Sequence, residues 1–151
     1  MGYKYGLWYI YSNDVFNTTH ISHFTVSCFM NINDAYNLYN EIYNYYGNIN
    51  VISVYCKDPV IFDNNMYKDD VNNLYSWGYY GNIMYWNDIC NIVQKYNCNF
   101  TNDNHTTVQY STNKNLLNLK SCNKNEFLIC KLVIVDMNDD NPNNWKIIFN
   151  Q

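Results

Sequence analysis

Apolar positions recur along this chain in two rhythms, one of two residues and one of three to four, and these predict its elements. Residues 6–12 alternate as on a strand: Trp8 and Ile10 face one way, Leu7, Tyr9 and Tyr11 the other. A polar loop spans 13–19, and a second strand over 21–30 ends at Asn31. Ala35, Leu38, Ile42 and Tyr46 then recur at helical spacing, with Asn33 the expected N-cap, Asp34 in the first turn and Gly47 the stop. Residues 50–56 read as a β-branched strand broken near Pro59, and 60–62 as another. Over 63–82 the pattern dissolves into Asn, Asp, Tyr and Gly, which predicts a substrate-side loop. Trp86, Ile89, Val93 and Tyr96 mark a second helix, and a strand is expected over 105–111. After a polar stretch at 113–125, residues 127–136 form the clearest strand, paired with 145–149 across an Asn-Asp-Asp-Asn-Pro turn. The order approximates two β-α-β halves in an α+β domain spanning 1–151, without a visible linker.

Composition narrows the function. Charged residues make up 15% of the 151, and much of the polar surface comes from 30 Asn. The excess runs evenly along the chain and reads as the bias of an AT-rich genome, which suits a virus or parasite. The net charge is −4 and Arg is absent, so a protein that coats long nucleic acid is not expected. A small nucleotide stays compatible, but without bidentate Arg clamps its phosphate must meet Lys, His, hydroxyls or backbone amides.

Six Cys at positions 28, 56, 90, 98, 122 and 130 show neither zinc-finger nor redox spacing, and small buried hydrophobes are expected. No apolar h-region opens the chain, no 18-residue apolar run spans a bilayer, and Gly6 breaks the myristoylation pattern. A cytoplasmic monomer without membrane contact is the expectation.

One tetrapeptide pattern occurs twice. His23-Phe24-Thr25-Val26 and His105-Thr106-Thr107-Val108 both read His-x-Thr-Val, 82 positions apart (105 − 23), and both fall on expected strands. Strand phasing points His23 with Thr25, and His105 with Thr107, to one face; Phe24, Thr106 and the two Val point to the other. One neutral imidazole can take a proton from an attacking hydroxyl or water, while a protonated one hands a proton to the leaving oxygen. The Thr hydroxyls can hydrogen-bond the non-bridging oxygens of a phosphodiester between them. No metal or other cofactor is required by such chemistry. His20 begins a partial copy, His20-Ile21-Ser22, and is read as a neighbour that tunes His23; Ser22 and Thr106 are read as structural.

Two such motifs some eighty residues apart in a small domain resemble the two-histidine (2H) phosphoesterase superfamily. It includes RNA 2′,3′-cyclic phosphodiesterases, viral 2′,5′-phosphodiesterases and enzymes that destroy cyclic-nucleotide immune signals. The resemblance covers most of the chain in layout, and the two tetrapeptides carry it in sequence. It implies two pseudo-symmetric α+β lobes with antiparallel sheets around a central cleft and one motif on a central strand of each. It also implies catalytic roles for His23 and His105 and phosphate-binding roles for Thr25 and Thr107. Trp8 and Tyr110 are candidates for base stacking, with Tyr110 expected on the strand face opposite His105. The leading reading is thus a metal-independent nucleotide phosphodiesterase, with a bell-shaped pH dependence peaking near neutrality. A nucleotide-sequestering protein of the same fold and an interaction protein with a coincidental motif pair are the alternatives.

Overall fold

A computed structural model describes residues 5–48, 50–63, 74–99, 104–121 and 125–151. The chain is α+β, with eight strands and two helices among these residues: β1 (Tyr5–Ile10), β2 (His23–Met30), α1 (Ile32–Tyr46), β3 (Asn50–Tyr55), β4 (Val60–Asp63), β5 (Tyr75–Ile83), α2 (Trp86–Lys95), β6 (His105–Ser111), β7 (Asn125–Asp136) and β8 (Lys146–Phe149).

Every strand pair is antiparallel, and the pairing closes on itself in the order β1-β2-β6-β5-β3-β7 and back to β1. The twelve-residue β7 makes closure possible by serving two neighbours: its first six residues pair with β3 and its last six with β1. Such a barrel-like sheet leaves few open edges. β4 adds beside β5, and β8 adds to the end of β7, as the sequence pattern predicts for 145–149.

The two sides of the strands bury different clusters. On one side Leu7, Tyr9, Phe24, Val26, Ile52, Leu132 and Ile134 join the buried stripes of both helices in the main core. On the other, Trp8, Cys28, Val133, Val135, Met137 and Trp145 form a second cluster. The alternation read from residues 6–12 therefore corresponds to real sidedness.

Nine of the fifteen residues of α1 are Asn or Tyr, which costs roughly 5 kcal/mol in propensity relative to alanine. Burial of Leu38, Tyr39 and Ile42, each worth roughly 1.5–3 kcal/mol, offsets that. Tertiary packing, not local preference, holds this helix. Its N-cap is Asn31 and not the expected Asn33: Asn31 accepts from the Asp34 backbone N–H at 2.8 Å, and its amide donates to the Asp34 carboxylate at 2.9 Å. The helix thus starts two residues earlier, directly after β2 ends. Gly47, at φ +72°, closes it as expected, its N–H donating to the Tyr43 carbonyl.

The expected loop over 63–82 needs correction. Residues 64–73 lie outside the described residues, but 75–83 form β5, which joins β6 to β3 and β4. Ser76, Trp77, Gly78 and Tyr79 are all buried, so both faces are covered and no two-residue alternation appears. Gly78 marks a close backbone approach and not a turn: a Cβ there would stand 1.8 Å from the Thr106 carbonyl oxygen.

Candidate functional site: two paired His-x-Thr strands

β2 and β6 are neighbours, and Phe24 faces Thr106 across the pair. Both are the middle residues of their motifs. Continuing the antiparallel register one step each way sets His23 opposite Thr107 and Thr25 opposite His105. An antiparallel pair directs such flanking positions to one face. The four motif side chains therefore share a side of the sheet, related by a local two-fold axis between Phe24 and Thr106. Phe24, Thr106 and Val26 point to the main core and are buried.

A buried hydroxyl chain locks this register. Thr106 Oγ1 donates to the His23 backbone carbonyl at 2.7 Å, so the Tyr11 hydroxyl must be the donor in its 2.6 Å bond to Thr106. Burial pushes the Tyr11 phenol well above its usual range, which keeps it a donor at any ordinary pH. Thr106 thus ties the second motif strand to the first, the structural role expected of it.

His23 is only 5% exposed. Its Nδ1 lies 2.6 Å from the Ile21 carbonyl oxygen; a carbonyl only accepts, so Nδ1 carries the proton and Nε2 holds a lone pair. Burial lowers its pKa to about 3, with His20 and His105 nearby adding repulsion. Trp8, directly opposite Thr25 on β1, stacks on the imidazole at 3.4 Å between centroids and 6° between planes. The Trp8 indole is itself fully buried, and in this arrangement its face meets His23. The other motif histidine is half-buried and stands opposite Tyr80 on β5, its ring 4.2 Å from that of Phe62 on β4.

Tyr110 does not lie on the face opposite His105. Strand β6 bulges where Trp77 pairs with Gln109 but the next residue, Gly78, pairs with Thr107. The extra residue inverts the phase beyond it and turns Tyr110 to the motif side. There its hydroxyl bonds the Thr107 side chain, and burial raises its pKa to about 12. Its ring meets that of His20 edge to face at 4.8 Å. His20 is buried, donates from Nε2 to the Thr107 carbonyl at 2.9 Å, and sits 6.2 Å from the His23 ring. Burial lowers its pKa as well. The third histidine is thus part of the arrangement, bridging the loop before β2 to the second motif.

Beside the motif pair opens a cleft of about 920 Å³. None of the four motif side chains lines it; His20 and Tyr110 form the boundary between the two. The cleft brings in Lys120, the cation near the site that the residue pattern alone could not single out. One wall is the strap over 112–121, stapled down by Gln109, which accepts from Trp77 Nε1 and the Asn118 N–H and donates to the Leu116 carbonyl. Tyr79 donates to the Lys120 carbonyl at 2.5 Å and fixes the strap's far end. The opposite wall joins the loop at 15–20 to that at 140–143 through the Thr19–Asn143 bond.

Among the described residues, no disulfide joins any two of Cys28, Cys56, Cys90, Cys98 and Cys130, and Cys122 lies outside them. No described helix is long and apolar enough to cross a membrane. No family model, curated protein or solved structure matches this chain.

Proposed function

We propose that the chain is a phosphodiesterase of the two-histidine type, acting on a nucleotide phosphodiester without a metal. The observation that carries this reading is the pairing of β2 with β6, which sets both His-x-Thr motifs on one face about a local two-fold axis. The pseudo-symmetric lobes of that superfamily require such an axis between their motif strands. His23, neutral with its Nε2 lone pair free of a proton, serves as general base toward the attacking hydroxyl or water. His105 serves as general acid toward the leaving oxygen. Thr25 and Thr107 hydrogen-bond the non-bridging oxygens, where negative charge grows in the transition state. Lys120, at the adjoining cleft, offsets phosphate charge that Arg would otherwise meet.

The candidate substrates are cyclic di- or oligonucleotides, 2′,5′-linked oligonucleotides and RNA ends bearing a 2′,3′-cyclic phosphate. The acidic balance favours small substrates over long RNA. One observation favours a second reading, in which the same face binds a nucleotide without turning it over. The stacking of Trp8 on a deeply buried His23 holds that imidazole far from the pKa suited to proton transfer. A panel of the three substrate classes, incubated in excess EDTA and resolved by chromatography, separates the readings. Turnover supports the enzyme, tight binding without products supports sequestration, and neither would remove both.

A further inference from the structure

The cleft beside the motif pair has no part in the roles given to His23, Thr25, His105 and Thr107. Its volume of about 920 Å³ falls in the range of small-molecule sites, roughly 300–1,000 Å³. The half-buried ring of Tyr110 lines it, with Trp77 and Tyr79 behind, only 3% and 4% exposed, and the exposed Asn17 and Asn118 also belong to its lining. Its lining carries one cation, Lys120, and two carboxylates, Glu126 and Asp140. A phosphate group deep in this cleft would meet more negative than positive charge. A flat uncharged ring with donors and acceptors on its edge would meet the Tyr110 ring and the side-chain amides.

Tyr110 joins the two regions. Its ring lines the cleft, while its hydroxyl holds the side chain of Thr107. A group stacked against Tyr110 would therefore lie within one residue of the phosphate-binding position.

We infer that this cleft takes the nucleobase and sugar of a nucleotide whose phosphodiester lies at the motif pair, and that Tyr110 is where the two parts of the ligand meet. The position of the phosphate rests on the phosphodiesterase reading; the preference of the cleft for an uncharged nucleoside does not.

The experiment titrates adenosine and guanosine into the full chain at neutral pH, followed by calorimetry, with glucose and inorganic phosphate as comparison probes. Saturable binding of a nucleoside is expected, at least tenfold tighter than either comparison probe. Asn118→Trp and Thr112→Trp, both at exposed positions on the strap, put an indole over the opening and weaken that binding at least tenfold without lowering the melting temperature. Absence of saturable nucleoside binding, equal binding of glucose or phosphate, or nucleoside binding that neither variant weakens would overturn the inference. A separate turnover assay keeps the two readings apart. Nucleoside binding as stated with no cleavage of any phosphodiester removes the enzyme and leaves the cleft's ligand. Cleavage with a KM unchanged in Asn118→Trp removes the cleft's ligand and leaves the enzyme.

Discussion

The His23 imidazole lies flat against the Trp8 indole, 3.4 Å between centroids and 6° from parallel. A ring so covered loses the water that would stabilise its charged form, and nothing anionic among its contacts replaces that water. Trp8 is thus a cause of the low pKa of His23. In Trp8→Leu the pKa of His23, followed by proton NMR of the imidazole, is expected to rise from about 3 toward its ordinary value of 6.5. The variant should also lose about 2–4 kcal/mol of stability, since a fully buried indole is replaced by a smaller side chain. An unmoved pKa would show that the indole does not control the histidine.

Stability should fall on mild acidification. The folded pKa of His23 is about 3 and its unfolded value about 6.5, so the contribution is complete above pH 6.5 and is lost as pH drops toward 3. Within that window only the unfolded chain takes up the proton, at a cost of roughly 1.4 kcal/mol per pH unit. His20 acts in the same direction. Denaturant melts between pH 5 and 6.5, above the range where carboxylates titrate, should show this slope, and His23→Gln should reduce it. Equal slopes in both proteins would mean that His23 does not titrate differently in the two states.

If turnover is found, His23→Ala and His105→Ala should each lower it by about 10²–10⁴-fold, the usual worth of a general acid or base. Thr25→Val and Thr107→Val remove one hydrogen bond to a charged group, about 1.5–3 kcal/mol, and should be milder. The double histidine variant should be little worse than either single one, because the pair acts as a unit. The acid limb of kcat/KM reports the base in the free protein. It is therefore expected near pH 3, well below the neutral peak that an unperturbed pair of histidines predicts. A His105→Ala variant at near wild-type rate would sink the assignment.

The cap of α1 offers an independent check of the fold. Asn31→Ala should cost about 1 kcal/mol, since it leaves the Asp34 N–H without its acceptor. Asn33→Ala, one position inside the helix, should be neutral or slightly stabilising because alanine is the better helix former. The reverse order in chemical denaturation would contradict the helix start.

What could be read from the residues alone is what depends on neighbours close in the chain. The two-residue rhythm of 6–12 predicts the opposite faces of Leu7 and Trp8, and the Ala35-Leu38-Ile42 spacing predicts the buried stripe of α1, because side-chain direction follows backbone phase locally. The repeated His-x-Thr-Val marks out the candidate site in the same way. The rest was decided by partners distant in sequence. β5 escaped notice because both of its faces are covered, which erases alternation, and because Gly78 answers to the Thr106 backbone and not to a turn. Tyr110 changed sides through a bulge set by pairing with β5, and His20 joined the site by reaching the Thr107 carbonyl 87 positions away. Local phase can tell which way a motif histidine points, but the water it keeps depends on what folds over it, and for His23 that is Trp8 on the neighbouring strand.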